Sequence, residues 1–181
     1  MSSEQFYKDM IAIAKAARKD EFDHIVSRPP TQEAVDLIKE KTGVKIPDNL
    51  LAFSLQYNGL SIFAKEELWP EPEFLEVRQA WEFQSGVILL GIEAEQLPEW
   101  ASIMSIYDQF VERFGVRDIL PLLRVYGKTG HFWGARKDGA FVEVDGDEVT
   151  VVNKSFLEVY SEQIHALIER MHKWMAQKNK Q

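Results

Sequence analysis

Apolar residues recur at helical spacing in four stretches of the chain, and each stretch carries recognisable end signals. The first covers residues 4–19. The second follows Thr31, whose hydroxyl suits a helix N-cap. The third covers residues 96–115, and the last opens at Ser155, with Glu158 three residues later as a capping box. The pattern therefore predicts helices at both ends of the chain.

A further short helix is predicted near the end of the first third of the chain. Pro47-Asp48 suits its start, because the missing N–H of proline costs nothing there and a carboxylate caps free donors. Asn58-Gly59 suits its end, since both residues tolerate the left-handed conformation. Residues 61–80 include a Trp-Pro-Glu-Pro run, which cannot lie inside a helix, and we expect a long surface loop there.

Short runs rich in branched and aromatic residues alternate with turn signals in the second half of the chain. Asp138-Gly139 and Asp145-Gly146 are strong hairpin signals. The predicted strands cover residues 87–92, 120–126, 131–136, 140–144 and 149–152. The order of the predicted elements is helices, then an antiparallel meander of strands, then a final helix. This order indicates an α+β fold, with a central antiparallel β-sheet flanked by N-terminal and C-terminal helices.

The acidic charge is concentrated in one stretch. The formal net charge is -8, and residues 61–100 contain nine glutamates against one lysine and one arginine. Such a surface repels phosphate backbones, so we expect no direct nucleic-acid binding and favour a basic protein partner. A solvated acidic surface that only aids solubility is an equally simple interpretation.

Composition narrows the class of protein further. With 181 residues, 45% of them hydrophobic, the chain can form one sizeable core. The sequence has no cysteine, which excludes disulfides, thiolate nucleophiles and cysteine metal sites. It shows neither an apolar run of membrane-spanning length nor a signal-peptide pattern, so we expect no membrane partner and a cytoplasmic location.

Three features suggest chemistry, and for each we prefer the plainer interpretation. Two Glu-x-x-His repeats on the last helix have a spacing known from metal bundles, but they flank its apolar side as surface pairs do. These residues are Glu162, His165, Glu169 and His172. The segment from Gly127 to Gly130 resembles part of a phosphate-binding loop, yet Leu122 replaces the leading glycine and the segment joins two strands. His131 lies in a predicted strand and is interpreted as structural. We therefore predict no catalytic residue, metal site or cofactor.

Five short segments occur in an order and spacing that resemble the SMI1/KNR4 (SUKH) family. They are Ile46-Pro47, Asn58-Gly59, Leu120-Pro121-Leu122, Asp138-Gly139 and Ser155-Phe156. The resemblance divides the chain into an N-terminal helical extension (1–30), an SMI1/KNR4-like domain (31–176) and a frayed tail (177–181). The sequence departs from the family pattern at Leu60, where members often carry a small residue, and in the long helix at 96–115.

The resemblance implies an α+β domain that binds proteins rather than an enzyme, and the family as a whole offers no catalytic residues to carry over. Many bacterial members look like immunity proteins, which neutralise toxin domains, often nucleases, from neighbouring cells. Fungal members resemble regulators of cell-wall synthesis and signalling. The expected function is thus that of an immunity protein. The alternative is a regulatory or scaffolding module that binds an endogenous protein.

An acidic surface suits the immunity role, because nuclease toxins carry basic clefts and opposite charge steers association. We expect the partner-binding surface to combine the acidic residues of the predicted loop with one aromatic anchor, Trp69. Its residues are Glu66, Glu67, Trp69, Glu71, Glu73 and Glu76. The expected partner is a basic protein such as a toxin domain.

Overall fold

The computed structural model of the chain describes residues 1–68, 84–178 and 180. Its helices are α1 (Ser3–Ala16), α2 (Gln32–Thr42), α3 (Asp48–Ser54), α4 (Ile103–Phe114) and α5 (Phe156–Lys178). Its strands are β1 (Phe22–Ser27), β2 (Asn58–Ala64), β3 (Gly86–Leu89), β4 (Ile119–Val125), β5 (His131–Arg136), β6 (Phe141–Asp145) and β7 (Glu148–Val151). Single 3₁₀ turns cover Glu66–Leu68 and Glu99–Ala101.

The seven described strands form one antiparallel sheet whose spatial order follows the sequence, β1 to β7. Helices α1 and α5 flank the sheet and pack against each other, α3 packs against α1, and α4 packs against β4. The largest fully buried side chains come from both the helices and the sheet: Met10, Phe22, Phe53, Phe132 and Tyr160. The predicted α+β fold with a flanked antiparallel meander is therefore confirmed.

Most of the predicted end signals form the contacts expected of them. The Thr31 hydroxyl accepts from the backbone N–H of Ala34, 3.2 Å away. Ser155 and Glu158 form the reciprocal capping box, with N–H donors on both residues satisfied by the other's side chain. The helix predicted over 96–115 is shorter than expected. Its first part is the 3₁₀ turn, and α4 begins after Ser102, whose hydroxyl accepts from the N–H of Ser105.

The interpretation of Asn58-Gly59 as a helix end is wrong. Helix α3 ends at Ser54, and Asn58 opens strand β2. Residues 61–64, expected in a loop, belong to this strand. Their apolar and small side chains are mostly buried, so the alternation that marks a half-exposed strand is missing. Asp48 opens α3 as predicted, but its carboxylate pairs with Lys45 at 2.7 Å instead of capping the helix.

The sequence pattern does not predict strand β1. It lies within residues 1–30, which were expected to be a helical extension, and it pairs with β2 along the edge of the sheet. Ile25 and Val26 are neighbours in the chain and are 46% and 41% exposed. The strand therefore lacks the alternation of apolar and polar residues that marks a half-buried strand. The N-terminal segment therefore adds a strand to the sheet as well as a helix.

Strand β4 contains Pro121, which has no N–H to donate to a sheet. The register shifts between Pro121 and Leu123, so the strand carries a bulge at this point. Gly134 lies opposite, and a Cβ there would be 2.4 Å from the carbonyl oxygen of Leu120. The close approach of the two backbones explains why β5 has glycine at this position.

The buried side chain of Asn58 fastens three chain segments together. Its Nδ2 donates to the carbonyls of Arg28 and Ile92, at 3.0 and 2.8 Å, and its Oδ1 accepts from the N–H of Ile92 at 2.8 Å. The residue is 0% exposed. Hydrogen bonds of this kind are costly to lose, because the groups left behind are shielded from water.

We expect Asn58→Ala to lower the free energy of unfolding by about 2–4 kcal/mol, because it leaves buried backbone groups unsatisfied. Urea denaturation followed by circular dichroism measures this. Asn153→Ala, which changes an exposed asparagine, is the matched control and should alter stability by less than about 0.5 kcal/mol. Equal effects of the two substitutions would contradict the role given to Asn58.

The β5–β6 turn contains a carboxyl group, that of Asp138, whose pKa makes stability depend on pH. Hydrogen bonds from Arg136 and from the N–H of Ala140 lower the pKa of Asp138 to about 2. A depressed folded-state pKa stabilises the fold above the unfolded pKa of about 3.9, and this contribution is lost as pH falls towards 2. Arg136→Gln should raise the Asp138 pKa towards that unfolded value, which NMR titration of the carboxyl carbon measures. An unchanged pKa would rule out the guanidinium as its main cause.

Candidate protein-binding surface

The structure places two of the six residues predicted to bind a partner. Glu66 and Glu67 lie in the 3₁₀ turn after β2, and both are exposed. Trp69, Glu71, Glu73 and Glu76 lie outside the described residues. The candidate surface is therefore built outward from the strand that leads into this turn.

Three aromatic rings from distant parts of the chain meet at Phe63, which precedes this turn by three residues along the chain. The Phe63 ring lies 5.4 Å from Trp100 and 5.3 Å from Tyr126, and the latter two are 6.0 Å apart. All three pairs meet edge to face, the geometry that aromatic quadrupoles favour. Tyr126 is 40% exposed, while Phe63 and Trp100 are half-buried. We call these three residues the aromatic patch.

Each ring is held in place by its local backbone. Gly86 on β3 leaves room for Phe63, since a Cβ there would lie 2.6 Å from the ring. Trp100 sits in the 3₁₀ turn that is fastened to Gly91 by two hydrogen bonds: the Gly91 N–H donates to Ala101 at 2.7 Å, and Ile103 donates back to Gly91 at 2.9 Å. The residue after Gly91 is Ile92, whose N–H and carbonyl are both hydrogen-bonded to the Asn58 side chain. The patch therefore rests on backbone fixed by buried hydrogen bonds.

Exposed carboxylates adjoin the aromatic patch along the chain. Glu99 directly precedes Trp100, and Glu66 and Glu67 follow Phe63 by three and four residues. Cations also adjoin the patch: Lys65 follows Phe63 by two residues, and the Arg124 Nη1 lies 3.5 Å from the Trp100 carbonyl oxygen. Aromatic side chains with a charged rim are typical of the energetic centre of protein interfaces.

Two other acids of the same stretch make contacts within the protein. The Glu95 carboxylate pairs with Arg28 at 2.7 Å, and the Glu93 carboxylate accepts from the Ser102 hydroxyl. The exposed glutamates at 66, 67 and 99 adjoin Phe63 and Trp100 along the chain.

The sequence interpretation missed all three rings. The helical pattern over residues 96–115 includes Trp100 on its apolar side, and Phe63 falls in the predicted loop. The signal that distinguishes Trp100 is its position between Pro98 and Ser102, which both favour helix starts and thereby indicate a break in the helical pattern. No local signal relates Phe63 to Tyr126, because strand pairing alone brings them together.

The segments that carry the family resemblance largely converge at a different place. A cleft of about 440 Å³ is lined by residues from four of them: Pro47, Leu122, Gly139, Ser155 and Phe156. Its charged side chains are paired within the protein, Asp48 with Lys45 and Lys154 with Glu162, each at 2.7 Å. These contacts indicate a packing junction between α3, the sheet and α5.

The Glu-x-x-His repeats on α5 do not form a metal site. Glu162 pairs with Lys154, while the His165 Nδ1 lies 2.7 Å from the carbonyl oxygen of Ser161. His172 contacts Glu21 at 3.1 Å. Across the part of the chain that the structure describes, no group of three potential ligands could hold a metal ion. No helix in that part is long and apolar enough to cross a membrane.

His131 is a buried residue of β5, consistent with the structural interpretation. Its Nε2 lies 2.7 Å from the Glu143 carboxylate, and its ring meets Trp133 edge to face at 4.5 Å. The residue is 3% exposed. The segment from Gly127 to Gly130 forms the turn between β4 and β5, as expected for a strand connection.

No family model matches this chain, and no curated protein matches it either. The resemblance to the SMI1/KNR4 family thus rests on the five segments named above. The case for function is carried by the aromatic patch and its acidic neighbours, whose positions are independent of any relative.

Gly86→Ala should move the Phe63 ring away from Trp100 and Tyr126, because the new Cβ cannot share its space. The expected result is a shifted Trp100 indole N–H resonance in a protein that remains folded. Val149→Ala, on the exposed strand β7, serves as the control and should leave that resonance unchanged. An unshifted indole resonance in Gly86→Ala would show that the rings are not in contact.

Proposed function

We propose that this protein is a non-enzymatic binding domain that recognises a basic protein through the aromatic patch, and that its partner is a toxin domain which it neutralises. The observation that carries the proposal is the meeting of the Phe63, Trp100 and Tyr126 rings, which exposed glutamates adjoin along the chain. The family resemblance supplies the toxin as the class of partner.

The two parts of the surface have different physical roles. The rings offer rigid apolar area that loses little conformational entropy on binding. The carboxylates attract a basic partner over a distance set by the Debye length, about 8 Å at physiological ionic strength. Steering of this kind raises association rates and suppresses wrong partners more than it adds affinity. Rapid capture suits a protein that must act before a toxin reaches its substrate.

The contacts of the described ionisable groups also favour binding over catalysis. Depressed carboxyl pKa values occur at a turn and a helix cap, where Arg136 and Ser155 are the causes. Both positions are exposed, and the lowered pKa values follow from contacts that shape a turn and a helix start. These two shifts are therefore explained without a catalytic role.

The direct test is the double charge reversal Glu66→Lys/Glu67→Lys. We expect association with a toxin captured from the native host at low salt to slow by about tenfold, with a smaller effect at high salt. Biolayer interferometry at several salt concentrations measures the rate. The matched control is Glu33→Lys/Glu40→Lys, which changes net charge equally at exposed positions of α2.

Equal slowing by both double variants would show that net charge alone matters and would contradict the assigned surface. Capture of an endogenous enzyme or signalling protein, with no toxin, would instead favour the regulatory alternative.

Trp100→Ala separates the contribution of the rings from that of the carboxylates. It should accelerate dissociation by more than tenfold while leaving the salt dependence of association unchanged.

A further inference from the structure

A small pocket between α4 and the β4–β5 turn is lined by hydrogen-bond donors. It has a volume of about 90 Å³, and its polar lining residues are Gln109, Arg113, Arg124, Thr129 and His131. Phe110 and Phe132 form its apolar wall and meet edge to face at 5.1 Å. Among the residues that the structure describes, no aspartate or glutamate lines it.

Arg124 is the central cation of this pocket. The residue is half-buried, and burial lowers the pKa of its guanidinium. Its Nη1 makes a long 3.5 Å contact to the Trp100 carbonyl, and it has no carboxylate partner within the described part of the chain. A partly buried cation without a counter-charge is costly, which is the condition that a bound anion would relieve.

The other donors surround the same space. Arg113 is exposed, and its guanidinium lies 5.2 Å from the Phe114 ring, which restrains it. The His131 ring also lines the pocket, but its Nε2 is paired with the Glu143 carboxylate, so it is not counted among the donors to an anion. Thr129 and Gly130 belong to the β4–β5 turn, and Gly130 adopts a left-handed φ of 70°. The turn that resembled a phosphate-binding loop therefore lines a donor-rich pocket, although it is not such a loop.

We propose that this pocket binds a small tetrahedral oxyanion of the phosphate or sulfate type, held between Arg124 and Arg113. The planar guanidinium forks of two arginines match the geometry of phosphate oxygens. The pocket volume corresponds to about three water molecules, which leaves room for the anion alone or for the terminal group of a larger compound. Arg124 also adjoins the aromatic patch through its contact with the Trp100 carbonyl, but the proposed anion site does not rest on the proposed function.

Titration of the full chain with inorganic phosphate, followed by NMR, tests the site. We expect the backbone amides of Thr129 and Gly130 and the side-chain Nε–H of Arg124 to shift together along one saturable curve. Arg113→Gln should weaken binding at least fivefold, and Arg124→Lys at least tenfold, because lysine keeps the charge but loses the fork. Arg113 is exposed, so that variant is expected to fold normally.

The matched control is Arg117→Gln, which removes an exposed cation just after α4 that does not line the pocket. It should change phosphate affinity by less than twofold. Equal weakening by Arg117→Gln and Arg113→Gln would show unspecific attraction and overturn the proposal, as would an absence of saturable shifts at Thr129 and Gly130.

Binding of two further ligands, acetate and phenyl phosphate, shows which kind of anion the pocket prefers. Acetate is planar and should bind at least fivefold more weakly than phosphate, so equal binding would overturn the assignment to a tetrahedral oxyanion. Phenyl phosphate distinguishes the source. Tighter binding than inorganic phosphate would identify the ligand as the terminal group of a larger compound, whereas weaker binding would identify it as the free ion.

Discussion

The hydrogen bonds of the buried Asn58 side chain are the constraint on which the surface features of this protein depend. They join the start of β2 to the segment after β1 and to Ile92. Gly91 then fixes the turn that carries Trp100. An amide side chain suits this position because it offers a donor and an acceptor at once, which a hydrophobic residue of the same size cannot do. The aromatic patch is thus positioned by a polar interaction beneath it.

The sheet supplies the rest of the scaffold, and its irregularities are local. The bulge at Pro121 and the close approach at Gly134 adjust one strand pair without altering the order of the strands. Tyr126 leaves the sheet directly after β4, and Phe63 projects from β2, so both rings are displayed from backbone that hydrogen bonding has ordered. Rigid display of a few aromatic side chains is what efficient recognition requires, since little entropy is lost on binding.

How much the sequence could predict depended on whether the signal was local. Thr31, Ser155 and the two Asp-Gly turns act through neighbours in the chain, and the structure has them where the pattern indicates. The prediction at Asn58-Gly59 is wrong because the same two residues occur both at helix ends and at the starts of buried strands. The hydrogen bonds of Asn58 to the distant Ile92 favour the strand, and they are not visible in the local sequence. The meeting of Phe63, Trp100 and Tyr126 is likewise set by strand pairing, which no local pattern encodes. The acidic stretch is visible in the sequence, but that Glu66 and Glu99 adjoin rings which meet in space is not.

The measurement that tests the account most directly is amide hydrogen exchange of the protein alone and in complex with a captured basic partner. The account predicts added protection at residues 61–68, 98–102 and 124–128, which carry the aromatic patch and its acidic neighbours. Protection confined to residues 47–50 and 139–156 would instead place the partner at the cleft where the family-like segments meet. That result would contradict the claim that the aromatic patch is the binding surface.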